Sequence, residues 1–246
     1  MQEKAQRFNV SILETILSGS TGALLGGGTV WLVLTVVPLF TDLKGNAFGI
    51  MIGLLGAIVS GSNGMISGQR QTYQWQSLVG WLAFFADSTW AIIGTAFTLL
   101  LLLLGSRSRT ALYQREYSRR QNRWIYEGGF GLGGISQTFG LLARITPRQL
   151  IPAEMGDPEI VFRAAVQHET LHIWQNRLFG PVLYGSYLLW LPFGALLGCL
   201  LGLFVKQPLL LSIWDMAYYN NPWETWAWRW YGPPKGIHHG GLLSWA

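Results

Sequence analysis

Residues 168–172 read His-Glu-Thr-Leu-His. Two histidines four positions apart on an α-helix project from one face, so both imidazoles can reach a single Zn²⁺ ion. Glu169 can hold a water at that ion and take its proton, which makes metal-assisted hydrolysis the chemistry this spacing serves. The chain has four histidines and spends half of them here. That concentration favours a metal site over a chance cluster of buried polar residues.

A catalytic zinc also needs a third protein ligand and an open position. Glu224, in Asn221-Pro222-Trp223-Glu224, is the first candidate. Asn221 suits a helix cap and Pro222 the first helical position, so Glu224 falls in a first turn, where plain helix capping also accounts for it. His238 and His239 are alternative ligands that also read as a flexible tail, and Asp215 is a third alternative behind an apolar run.

The element that must present the motif spans residues 157–180. Asp157 is a good N-cap, Pro158 suits the first position, Glu159 complements the positive helix end, and Gly180-Pro181 is a stop signal. A helix of about 22 residues follows, roughly 33 Å long at 1.5 Å per residue.

Around it the composition is that of a membrane protein. Only 12% of residues are charged and 50% are hydrophobic, with 31 glycines and 13 tryptophans. A formal charge of +5 spread so thinly excludes a disordered chain and a nucleic-acid domain built on a basic face. The single cysteine, Cys199, excludes a disulfide framework and a thiolate metal cage. Four stretches are long enough to cross about 30 Å of hydrocarbon: Gly22–Phe40, Ala47–Gly68, Leu78–Leu104 if Asp87 is tolerated, and Pro181–Val205. Gly22 and Gly26, and Gly45, Gly49 and Gly53, recur every four residues, with Gly56 and Gly64 following, and predict a close helical hairpin. Asp87 is an intramembrane polar site of functional interest, or a structural carboxylate at the interface. Arg107, Arg109, Arg115, Arg119, Arg120 and Arg123 against Glu116 place the segment after the third stretch in the cytoplasm. Three crossings would then put Lys4 and Arg7 outside, against the same rule, unless one glycine-rich stretch is re-entrant. Residues 124–153 predict short strands or a hairpin. Trp223, Trp226, Trp228, Trp230 and Tyr231 predict an interfacial anchor.

His-Glu-Thr-Leu-His on a helix, followed across an apolar segment by Asn-Pro-Trp-Glu-x-x-Ala, resembles the gluzincin metallopeptidases. The nearest likeness is to integral-membrane members of the prenyl-protein-protease and heat-shock-protease type. The His-Glu-x-x-His-x-x-Gln run also resembles small bacterial zincin-like proteins. The resemblance implies His168, His172 and Glu224 as zinc ligands and Glu169 as the base. It departs at Trp228, where the family usually carries an aspartate that supports a ligand.

The fold expected is mainly α: a polytopic helical membrane protein with a small zincin-like α+β portion carrying the motif helix. Residues 1–104 form a glycine-rich transmembrane region. Residues 105–180 hold the basic segment, short strands and motif helix. Residues 181–216 form an apolar hairpin or span, and 217–246 a tryptophan-rich interfacial tail. Glu224 meets His168 only if 181–214 turns back, at Pro192-Phe193-Gly194 or at Lys206-Gln207-Pro208. The expected function is zinc-dependent peptide hydrolysis at the cytoplasmic surface of a bacterial inner membrane. Its partners are the lipid bilayer and a peptide or membrane-protein substrate, with Ile125–Phe139 as the substrate-binding strand. The alternative is an accessory subunit that packs against membrane partners and keeps a vestigial or structural metal site. A transporter resting on Asp87 is a third reading.

Overall fold

The computed structural model describes residues 2–37, 47–105, 111–129 and 136–230. Helix α1 (Gln2–Val36) and α2 (Ala47–Arg70) lie antiparallel in a tight hairpin. The approach is set by small residues. A methyl group on Gly22 would lie 2.3 Å from the Ser60 carbonyl oxygen, and one on Gly64 would lie 2.1 Å from that of Ser18. The contacting stripe on α2 is Gly56, Ser60, Gly64 and Gly68. Gly56 and Gly64 belong to the expected series; Gly53 meets open space, and Gly45 lies outside the described residues.

The expected third stretch is two helices, α3 (Leu78–Ser88) and α4 (Ile92–Gly105), bent by 83°. Side-chain hydroxyls take up the carbonyls released at the break. Ser60 donates to Ser88 O, Thr95 to Asp87 O and Thr89 to Phe85 O. Such partners let a helix end inside an apolar layer. Among the described residues, three helical stretches are long and apolar enough to cross a membrane: Ile12–Val36, Ala47–Arg70 and Pro181–Gly202. Leu24, Leu54, Ile58, Leu189 and Phe204 are among the apolar side chains left exposed.

A small sheet packs against this bundle. It comprises β1 (Leu112–Tyr113), β2 (Trp124–Glu127), β3 (Gln137–Phe139) and β4 (Leu142–Ile145), in the order β1-β2-β4-β3. β2 and β4 are parallel; β1 and β3 flank them antiparallel. The short helix α5 (Arg115–Gln121) joins β1 to β2. Alternation along β2 and β4 sends Ile125, Ala143 and Ile145 to one face and Trp124, Tyr126 and Leu142 to the other. The first face meets Phe162, Val166 and Ile173 of α6 (Pro158–Phe179); the second meets Ile66 of α2 and Leu99 and Leu102 of α4. The sheet is therefore the layer between the motif helix and the glycine-rich hairpin.

α6 has the length and ends that its sequence predicts. The Asp157 side chain accepts from Glu159 N at 2.8 Å, and Gly180 ends the helix at φ +52°, a left-handed value that suits glycine. Pro181 then opens α7 (Pro181–Gly202), which turns at residues 203–207 into α8 (Leu209–Trp214). α8 runs on through a π-helical turn, Asp215–Tyr219, to α9 (Pro222–Trp230). Gly198 sits against Ser212 and Gly194 against Met216, so the arms are antiparallel and the chain does turn back. The turn is at Lys206-Gln207-Pro208; Pro192 lies inside α7.

Asp87 is fully buried and takes two hydrogen bonds from Arg177 of α6, at 2.8 and 2.7 Å, and one from Tyr73 at 2.8 Å. It is thus one half of a buried ion pair inside the helix bundle. Asp87→Ala is expected to lower unfolding stability by about 3–5 kcal/mol, because Arg177 would remain charged in a dry site. Replacing both residues, Asp87→Leu with Arg177→Met, is expected to restore most of the loss, as read from thermal unfolding in detergent.

Candidate metal centre

α6 carries His168 and His172 on one face, and the returning hairpin delivers Glu224 from the first turn of α9. Asn221 caps that turn by accepting from Trp223 N at 3.0 Å. His168 Nε2 and His172 Nε2 are 3.2 Å apart. Glu224 Oε2 lies 3.4 Å from the first and 3.3 Å from the second. Two donors bound at about 2.0–2.1 Å to a tetrahedral ion stand about 3.4 Å apart, so the three separations have the size that one shared ion requires. Two imidazole nitrogens and a carboxylate oxygen, all but His172 deeply buried, form a group that can hold a metal ion.

Neighbouring side chains orient this group. His172 Nδ1 donates to Gln175 Oε1 at 2.9 Å, which turns Nε2 towards the centre. Gln175 is held in turn through its amide nitrogen on Trp223 O, at 2.9 Å. Tyr187 of α7 donates to Glu224 Oε1 at 3.1 Å and leaves Oε2 for the centre. Thr138 of β3 donates to Glu169 Oε2 at 2.6 Å and to its main-chain carbonyl at 3.0 Å. β3 is thus the part of the expected Ile125–Phe139 strand that reaches the site, while β2 lies inside the sheet. Trp228 lies over the His168 ring, with centroids 3.8 Å apart and planes at 35°. His168 Nδ1 is buried with no hydrogen-bond partner among the described residues. The His168 ring is thus covered on one face by a tilted indole, and its Nδ1 has no acceptor among the described residues.

The electrostatics follow from burial and mutual approach. Burial pushes the Glu169 carboxyl above its usual range, against the opposing pull of His168 and His172. Burial disfavours a charged His172, but the Glu224 carboxylate outweighs it and holds the imidazole proton up to about 9. Burial also opposes charge on Glu224, yet His172 and His168 hold its carboxyl well below the ordinary range.

The site opens into a cavity of about 970 Å³. Its walls include Phe139, Ile145, Met155, Val161, Leu183 and Trp214, with Glu169 and Glu224 among the polar groups that reach it. Of the other predicted ligands, Asp215 is absent from the group; its carboxylate accepts from Gln207 at 2.8 Å in the hairpin. His238 and His239 lie outside the described residues. Thr138, Tyr187 and Gln175 carry no role in the sequence reading. Only Gln175 had a signal there, in its place three residues after His172.

Comparison of the chain with protein-family models, with curated proteins and with solved structures finds no match.

The purified chain is expected to bind about one divalent ion, lost in His168→Ala and in Glu224→Ala and kept in Glu169→Gln. Gln175→Ala is expected to weaken metal affinity about 10- to 100-fold by freeing the His172 ring. Metal analysis after dialysis against graded chelator reads both.

Proposed function

We propose that this chain is a zinc-dependent peptide hydrolase of the membrane, of gluzincin type. The observation that carries the reading is the convergence of His168 Nε2, His172 Nε2 and Glu224 Oε2, with Glu169 beside them in the lining of a largely apolar cavity. A donor set of two histidines and one glutamate is that of zinc sites which keep an open position for reaction. Bound there, zinc supplies Lewis acidity to a scissile carbonyl and to an attacking water. Glu169 takes the proton from that water and returns it to the leaving amine. Thr138 aims one oxygen of its carboxylate, and burial raises its basicity towards neutral pH. The apolar walls exclude bulk water and accept apolar side chains of a peptide.

The exposed apolar helices support a site held at a lipid bilayer. Trp75, just after α2, donates to Glu14 of α1, and Arg70 bonds Tyr126 of the sheet. The end of α2 and the Glu14 region of α1 thus lie on the side of the sheet. On this reading the α3–α4 pair, bent by 83°, is a re-entrant loop and not a crossing, so Lys4 and Arg7 share a side with the basic segment. With Arg115, Arg119 and Arg120 on that side, the site faces the cytoplasm.

A second reading is favoured by one observation, the indole of Trp228 over a His168 that has no acceptor for Nδ1. On it, the centre is a structural metal site of an accessory membrane subunit.

Zinc-loaded protein in detergent is expected to cleave internally quenched peptides rich in leucine and phenylalanine. Glu169→Gln should reduce the rate by about 10²–10⁴ while holding zinc. An unchanged rate in that variant, or no cleavage by fully loaded wild type, sinks the hydrolase and leaves the structural site.

A further inference from the structure

The segment between α2 and α3, together with the short helix α5, encloses a surface pocket of about 350 Å³ that shares no residue with the cavity of the metal centre. Its lining is polar: Gln74, Gln76, Ser77, Glu116, Arg119 and Arg120. Asn122, at the end of α5, accepts from Gln74 N at 2.7 Å and so ties one wall to the other. Arg120 is paired with Glu116 at 2.6 Å. Arg119 is exposed and makes no hydrogen bond or ion pair among the described residues, and neither do the side-chain amides of Gln74 and Gln76. Glu14 of α1 is near enough to feel the charge of Arg119, but its carboxylate is engaged by the Trp75 indole at 2.5 Å. An accessible guanidinium beside two unengaged amides suits an oxyanion such as a phosphate, to which arginine offers paired N–H donors.

α3 begins at the edge of this pocket, directly after Ser77. Leu78, Trp81, Leu82 and Phe85 follow at the spacing of one helix face, and each is more than half exposed. Trp81 donates to Trp75 O at 2.8 Å and packs edge-on against the Trp75 ring, at the pocket end of that stripe. Tryptophans with one wet edge gather at headgroup depth. An oxyanion site and an apolar stripe that start from the same point match the two halves of a phospholipid.

We propose that this pocket binds the headgroup of one anionic glycerophospholipid, with its phosphate on Arg119, its polar headgroup atoms on Gln74 and Gln76, and an acyl chain along Leu78, Trp81, Leu82 and Phe85. Arg120 neutralises Glu116, so Arg119 is the unbalanced charge of the pocket and a ligand of net negative charge completes it. A zwitterionic headgroup would bring its ammonium against the same arginines. The cytoplasmic leaflet, which α5 faces in the orientation proposed above, is where anionic lipids concentrate. Asn122 O also takes a hydrogen bond from Arg177, so a lipid bridging α3 and α5 tightens the corner that holds the end of α6. The inference rests on the bilayer placement and goes beyond the hydrolase reading, which can hold or fail without it.

The test uses the full chain in dodecyl maltoside, with dioleoylphosphatidylglycerol or dioleoylphosphatidylcholine added. Native mass spectrometry counts bound lipid, and thermal unfolding reads its effect. One retained phosphatidylglycerol per chain and a raised thermal midpoint are expected, and phosphatidylcholine should give neither. Arg119→Gln is expected to weaken phosphatidylglycerol binding about tenfold, the scale of a lost charge-assisted hydrogen bond. Arg163→Gln, which removes an exposed arginine from α6, should leave it unchanged. Leu82→Gln keeps every arginine and should weaken binding several-fold through the stripe, which preserves the test if Arg119→Gln does not fold.

Equal retention of the two lipids, or equal losses in Arg119→Gln and Arg163→Gln, overturns the site, because the basic face would then attract lipid by overall charge alone. A midpoint raised as far by glycerol phosphate as by phosphatidylglycerol overturns the lipid and leaves a site for free phosphate esters. Retention of neither lipid overturns the site and the bilayer placement together.

Discussion

The interior ion pair between Asp87 and Arg177 is the constraint on which the placement of the motif helix depends. An arginine near the end of α6 has no inexpensive place in an apolar layer except against a carboxylate of fitting geometry. Asp87 supplies it at the end of α3, and Tyr73 fills the carboxylate's remaining capacity. The pair stands at the end of α3, where the chain bends by 83° into α4. The Arg177 guanidinium also bonds Asn122 O and lies 4.7 Å from the Trp174 ring, which ties the helix to the sheet as well as to the bundle. The other end of α6 is held by Asp157 and by Glu159, which bonds Arg148 and Tyr117. A helix pinned at both ends presents its middle turns in one orientation, and those turns carry His168, Glu169 and His172.

Against that fixed helix the hairpin of α7 and α8 makes the centre. Small residues let its arms touch, and Trp190 donates to Met216 O in the π-helical turn that leads towards α9. Glu224 arrives with one oxygen held by Tyr187, so the position of its second oxygen is set from outside the metal group. The same layering recurs at His172 through Gln175 and Trp223. His168 is the exception, positioned by ring stacking. A ring face fixes orientation without adding to the basicity of the nitrogen opposite, so the two histidines are not equivalent donors.

The cavity joins this centre to the apolar exterior of the bundle. Its aliphatic and aromatic walls favour apolar groups, and its polar lining includes the metal group, Glu169 and Thr138. That division of labour is common in ligand sites, where apolar area holds a ligand and a few polar groups orient it.

Much of this was legible in the sequence, because it depends on neighbours a few residues apart. Asp157, Pro158 and Gly180 mark the ends of α6, and a spacing of four puts His168 and His172 on one face. The runs of apolar residues mark the long helices, and Asn221-Pro222 marks the start of α9. The break at Thr89 was not legible. It depends on an arginine ninety residues away and on hydroxyls from two other helices, none of which perturbs the local pattern. Nor could spacing choose among Glu224, Asp215 and the terminal histidines, since each carried a suitable atom. Folding selected Glu224 by turning the chain at Lys206-Gln207-Pro208 and not at Pro192. The contacts of Thr138 and Tyr187 were equally out of reach, because a threonine or tyrosine acquires a role only from what faces it. Sequence alone determined which helix could hold an ion, through the 3.6-residue period of the backbone. Tertiary structure alone decided which carboxylate meets it, because distances between remote segments are set by packing.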